Sequence, residues 1–116
     1  MIKVVYNDCY GGFGLSRKAA DRLAQLGVEG MDEEIMMRDD SALKILGESF
    51  SLPVGVERHD PRLVQVVEEF GKESSGRFAD LKIDEIEDTK YIIDEYDGNE
   101  CVQVPEDINW VVVDET

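Results

Sequence analysis

The chain is poor in cysteine, histidine and basic side chains, and it has no long apolar run. Only Cys9 and Cys101 are present. Two thiols make no disulfide framework, and no CxxC or Cys/His cluster of zinc-binding type accompanies them. Both are expected to be free, and no metal or other cofactor is expected. His59 is the one histidine, so a Cys–His nucleophile pair would have to use it. No stretch of about 18 apolar residues exists, which argues against a membrane span. Met1-Ile2-Lys3 leads directly into a β-rich run and lacks the apolar core of a signal peptide. The cytoplasm is therefore the expected compartment. No internal repeat or low-complexity tract is present.

What the chain does have is acid. Lysine and arginine number 12 against 27 aspartates and glutamates, a formal net charge of −15. Residues 1–58 carry 7 basic and 10 acidic side chains, net −3, whereas residues 59–116 carry 5 and 17, net −12. The second half should repel nucleic-acid phosphates, so direct nucleic-acid binding is not expected. It suits either a solvated face that keeps the protein soluble or a surface that attracts a basic partner. With 116 residues and 42% hydrophobic content, one folded domain is expected over 1–116, without staples.

Ile2-Lys3-Val4-Val5-Tyr6 reads as a first strand. Ser16 is a good helix N-cap with Leu15 as a hydrophobic staple, and Ala19, Ala20, Leu23, Ala24 and Leu26 follow at helical spacing before Gly27. Residues 28–57 are hard to read: 32–37 show no clean period, and Ser41 caps at most a short helix over 42–46. Asp60-Pro61 opens a second helix, with Leu63, Val64, Val66, Val67 and Phe70 on its apolar face and Gly71 at its end. Strands follow near 81–86, 91–96 and 100–104, with Asp97-Gly98 a type I′ hairpin signal. Trp110 to Val113 suits an edge strand or a packed tail. The expected fold is α+β: helices at 16–26 and 61–70 on one face of a small mixed or antiparallel sheet. Val4, Leu23, Leu63, Val67, Ile83, Ile93 and Val102 are its expected core.

Two loops carry the candidate chemistry. NDCYGGFGLSRK supplies Asn7, Asp8, Tyr10, Gly11, Gly12, Phe13, Gly14, Ser16, Arg17 and Lys18 between a strand and a helix. Backbone N–H groups there suit an anion, with Arg17 and Lys18 assisting. The same glycines equally suit a tight corner. Neither GxxxxGK[ST] nor GxGxxG is present. A phosphatase loop needs Arg six positions after its Cys, yet Leu15 stands there and the first arginine is Arg17. A Cys9–His59 pair is a third alternative, to be judged in space. RHDPR gathers Arg58, His59 and Arg62 at the start of the second helix, either to hold an anion or to pair with acidic neighbours. Tyr91, Tyr96 and Trp110 are expected to pack on the core or its rim.

VVYNDCYGGFGLS, ERHDPRLVQVVEEFG, LKIDEIE and YIIDEYDG together resemble a group of small uncharacterised proteins of bacteriophages, other viruses and environmental prokaryotes. The resemblance covers residues 1–26 and about 56–102, and a variable insertion is expected at 28–55. It implies a phage-like, counter-defence setting in a host cytoplasm. Within it, two kinds of binding protein are expected. The first captures a small anionic ligand, such as a nucleotide, where the Gly loop meets RHDPR. The alternative is an acidic inhibitor, or nucleic-acid mimic, that binds a basic surface on a host defence protein. A Cys9–His59 enzyme is the third and less favoured alternative. A homo-oligomer that builds the pocket between chains is compatible with the sequence.

Overall fold

A computed structural model of the protein describes residues 2–39, 49–87 and 89–105. The expected helix at 42–46 and the Trp110–Val113 tail lie outside these residues. Strand β1, Ile2–Asn7, leads through the Gly loop into helix α1, Arg17–Gln25. Helix α2, Met31–Asp39, and helix α3, Pro61–Phe70, follow, the latter continuing as a short 3-10 turn over Gly71–Ser74. Strands β2, Leu81–Ile86, β3, Ile92–Tyr96, and β4, Asn99–Gln103, complete the order. The class is α+β, as expected.

Both caps form. Ser16 Oγ accepts the Ala19 N–H at 3.1 Å and donates to the Glu73 carbonyl at 2.6 Å. Asp60 Oδ1 accepts the Arg62 N–H at 2.9 Å, with Pro61 at the first helical position. Each cap satisfies a backbone donor that the helix leaves without a partner. α3 buries Leu63, Val64, Val66 and Val67, each contributing about 1.5–3 kcal/mol of apolar transfer. α1 buries Ala19, Ala20 and Leu23 against it. The two helices run antiparallel: Arg22 of α1 pairs with Glu69 of α3, and Arg62 near the start of α3 donates to the Gly27 carbonyl just past α1.

Helix α2 was not legible as a helix. Among its described side chains the buried ones are Met31 and Ile35, four residues apart, too few for a recognisable period. Asp32, Glu33 and Glu34 fill its first turn, where the helix dipole favours negative charge.

The strands form where expected but make two sheets, not one. β1 pairs antiparallel with β2 in the register Ile2↔Ile86 to Asn7↔Leu81. β3 and β4 form a separate hairpin, Ile92↔Gln103 to Tyr96↔Asn99. The reason lies at the other edge of β1. There the Val5 N–H donates to the Arg58 carbonyl at 2.9 Å, so the chain leading into α3 occupies part of that edge. β4 then meets β1 through a side chain: the Asn7 N–H donates to Glu100 Oε1 at 2.9 Å. Val4, Leu23, Leu63 and Val67 are core residues as expected. Ile83, in β2, is half-buried and packs against the core, whereas Ile93 and Val102 are half-buried because the hairpin stands away from it. α3 packs on β1 and β2, while α1 packs mainly on α2 and α3, a second layer behind α3 where both helices were expected on the sheet.

Candidate functional site

The Gly loop, the RHDPR segment and the hairpin tip meet. Asn7, fully buried at the end of β1, holds them at the start of the loop. Its Nδ2 donates to the Cys9 carbonyl at 2.7 Å and to the Gly98 carbonyl at 2.8 Å. Its Oδ1 accepts the Asp80 N–H at 2.8 Å. One amide thus ties the Gly loop to the hairpin turn and to the approach to β2. The turn itself has Asp97 at φ 52° and Gly98 at φ 88°, the left-handed pair of a type I′ hairpin. A side chain at Gly98 would run into the backbone at Tyr10 and Gly12, and one at Gly11 would overlap Phe78. These two glycines permit close backbone contact within the protein.

Arg58 closes the junction from the other side. Its guanidinium forms a bidentate pair with Glu100 at 2.7 and 2.9 Å and lies 3.8 Å over the Phe13 ring. The Glu100 side chain is 6% exposed and that of Arg58 22%. A carboxylate this buried needs its countercharge and its hydrogen bonds, and Glu100 receives both, from Arg58 and from the Asn7 N–H.

The remaining site candidates divide among several places. Asp8 is exposed and pairs with Lys82 at 2.6 Å. Tyr10 is exposed, and Gly12 adopts a φ of 95°. The Gly14–Ser16 stretch is a backbone anchor: the Gly14 carbonyl accepts from Gly76 at 2.8 Å, Leu15 exchanges two bonds with Phe50, and the Ser16 N–H donates to Ser74 at 3.0 Å. Arg17 pairs with Asp21 at 3.0 Å. Lys18 pairs with Glu73 at 2.8 Å and lies 4.6 Å over the Phe70 ring. His59 Nδ1 is 2.7 Å from the Tyr91 hydroxyl, with the rings edge to face. Arg62 pairs with Asp60 at 2.8 Å.

The cations therefore do not converge. Lys18 sits at the C-terminal end of α3, and Arg58 and Arg62 at its start, about 15 Å away for a helix of this length. Each of Arg17, Lys18, Arg58 and Arg62 is held on a carboxylate. The Arg62 guanidinium also keeps the Asp60 carboxyl below its ordinary value of 3.8. Burial pushes the Tyr91 hydroxyl upward, and nearby Glu57 adds to this. His59 has Tyr91 as its partner, and among the described residues no hydrogen bond joins it to Cys9. Also among the described residues, no group of three or more His, Cys, Asp and Glu is placed to hold a metal, and no helix is long and apolar enough to cross a membrane.

Sequence reasoning missed Glu100, Tyr91, Glu73 and Asp80 as partners. Asn7 and Glu100 lie 93 positions apart, and no local pattern announces such a pair. The one available signal was Asp97-Gly98, which marked the hairpin but not the loop it would meet. The chain matches no protein-family model, no curated protein and no solved structure.

Proposed function

We propose that the protein is a non-enzymatic binding protein whose acidic surface engages a basic surface of another protein. One observation carries this: the cations of both candidate loops are spent on internal carboxylates, while the hairpin presents acid to solvent. Asp94, Glu95 and Asp97 are exposed, and among the described residues none of them has a cationic partner. Exposed uncompensated charge steers a partner of opposite sign and sets its orientation. Given the resemblance to phage and viral proteins, the proposed partner is a host protein, with a surface of the kind that normally meets nucleic acid.

A second reading keeps a small anion at the Phe13–Arg58 junction, because the two loops do touch there. Such a ligand would have to displace Glu100 from Arg58, an exchange of one anion for another at a partly buried site.

Native mass spectrometry of protein purified from host lysate distinguishes the two. Ionic strength is raised from about 0.01 to 1 M, over which the screening length falls from about 30 to 3 Å. A protein partner released by salt is the expected result. A retained nucleotide would favour the anion reading. A protein complex indifferent to salt would overturn the proposal.

A further inference from the structure

Among the described residues the hairpin has an open edge: β3 pairs with β4 alone. The two-residue turn at Asp97-Gly98 makes Tyr96↔Asn99 the hydrogen-bonded pair next to it. Alternation along an antiparallel ladder then makes Asp94↔Cys101 and Ile92↔Gln103 bonded pairs as well. The N–H and C=O groups of Ile93 and Glu95 consequently face outward, and among the described residues they have no backbone partner.

Side chains on this strand are patterned too. Ile92, Asp94 and Tyr96 share the face away from β1, with Ile92 53% and Tyr96 79% exposed. Glu95 lies on the opposite face with Glu100 and is also exposed. An edge of this kind accepts an added strand whose backbone supplies affinity and whose alternate side chains supply specificity. Antiparallel pairing with a second copy, centred on this strand, would set either Asp94 against Asp94 or Glu95 against Glu95, and like charges opposite one another are destabilising.

We infer that the β3 edge is a strand-addition site for an extended basic segment of a partner protein, with lysine or arginine opposite Asp94 and Glu95 and apolar side chains beside Ile92 and Tyr96. This rests on the basic-partner reading and gives it an address. The acidic residues then have two effects at once: they exclude self-pairing and select the partner.

The test is residue-resolved amide exchange by NMR, with and without a synthetic peptide carrying Val-Lys-Lys-Thr-Val, which as an antiparallel strand sets valine opposite Tyr96 and Ile92 and lysine opposite both Glu95 and Asp94. In the free protein the Ile93 and Glu95 amides exchange quickly, while those of Asp94 and Tyr96 are slower. Bound peptide slows Ile93 and Glu95 by about tenfold or more, since each gains a ladder hydrogen bond. Glu95→Gln keeps the amide and weakens binding by up to about fivefold, the worth of one exposed charge pair. Glu95→Pro removes the outward N–H, leaves the ladder to β4 intact and abolishes the protection. Salt-sensitive binding without protection of Ile93 and Glu95 would overturn strand addition but leave the basic-partner reading standing. No binding at low salt would overturn both. Protection already present in the free protein would show the edge to be covered by the chain itself or by a second copy, and the inference would fail.

Discussion

Replacing Asn7 with alanine removes the one side chain that joins the Gly loop, the hairpin turn and the approach to β2. Three hydrogen bonds disappear, to the Cys9 carbonyl, the Gly98 carbonyl and the Asp80 N–H. Each such bond is worth about 0.5–1.5 kcal/mol net, and a buried group left without a partner costs about 1–3 kcal/mol. The junction is only part-buried, so water recovers some of this, and a loss of about 3 kcal/mol is expected. With a urea m-value of about 1–3 kcal/mol/M, the midpoint should fall by roughly 1–3 M at unchanged slope. Asn7→Asp sharpens the test. It keeps the acceptor for Asp80 but turns a second oxygen toward two carbonyls in a buried site, so it should cost more than alanine near pH 7. Burial raises the folded carboxyl above its unfolded value near 3.9, so this extra cost is present at neutral pH. It is progressively relieved as pH falls through the raised folded value, because the protonated acid can donate to one carbonyl. Asn7→Ala within about 0.5 kcal/mol of wild type, or an aspartate no worse than alanine at pH 7, would refute the clamp. Unchanged stability with lost ligand binding would instead make Asn7 a ligand contact.

Arg58→Ala should cost about 3 kcal/mol by urea unfolding, because it leaves the buried Glu100 carboxylate without its cation. In a double-mutant cycle with Glu100→Gln, a coupling energy below about 0.5 kcal/mol would remove the ion pair from the account. Gly98→Ala should destabilise by more than about 2 kcal/mol, since strain at φ 88° is joined by overlap with Tyr10 and Gly12. Gly12→Ala, at φ 95° with open space around its Cβ position, should cost only about 1 kcal/mol; equal effects would show that hairpin contact does not matter. Asp60 has its folded carboxyl lowered by Arg62 and by the backbone donors of the α3 cap. Its contribution is therefore full above the ordinary value of 3.8 and lost as pH falls through the lower folded value. Acid unfolding of Asp60→Asn should show a shallower loss of stability over that range, and identical acid profiles would contradict the assignment.

The helices that carry the junction were legible because their information is local. Ser16 and Asp60 cap the helices they precede, and the apolar residues of α3 recur at the helical period. The Asp97-Gly98 turn is likewise a two-residue message. Sheet partnership is not local. That Arg58, whose carbonyl accepts the Val5 N–H, takes part of the β1 edge and leaves β4 to dock through Glu100 depends on contacts 42 to 93 positions apart. The same limit applied to the site. Residue types in NDCYGGFGLSRK and RHDPR suggested that the two loops could work together, and the loops do meet at Phe13 and Arg58. Pairing with acidic neighbours was one of the two readings of RHDPR, but the residue types did not announce which carboxylates Arg17, Lys18, Arg58 and Arg62 would take, Glu100 and Glu73 among them.

Charge pairing and the open hairpin edge belong to one arrangement. The hairpin buries little of its own: Ile93 and Val102 are half-buried, and every residue from Asp94 to Asp97 is exposed. A two-stranded hairpin is marginal alone in water, so its position depends on attachment to the main body. Glu100 supplies that attachment from β4, and the Gly98 carbonyl supplies it from the turn, both converging on Asn7. Anchoring through β4 and the turn leaves β3 on the outside. The acid that remains exposed is on this outer strand, whereas the acid on the inner strand, Glu100, is neutralised by Arg58. A polar anchor on one strand thus holds the other strand's backbone and charge toward solvent. For that reason, weakening the anchor with Arg58→Ala should also weaken binding of a basic strand, although Arg58 itself never touches the β3 edge.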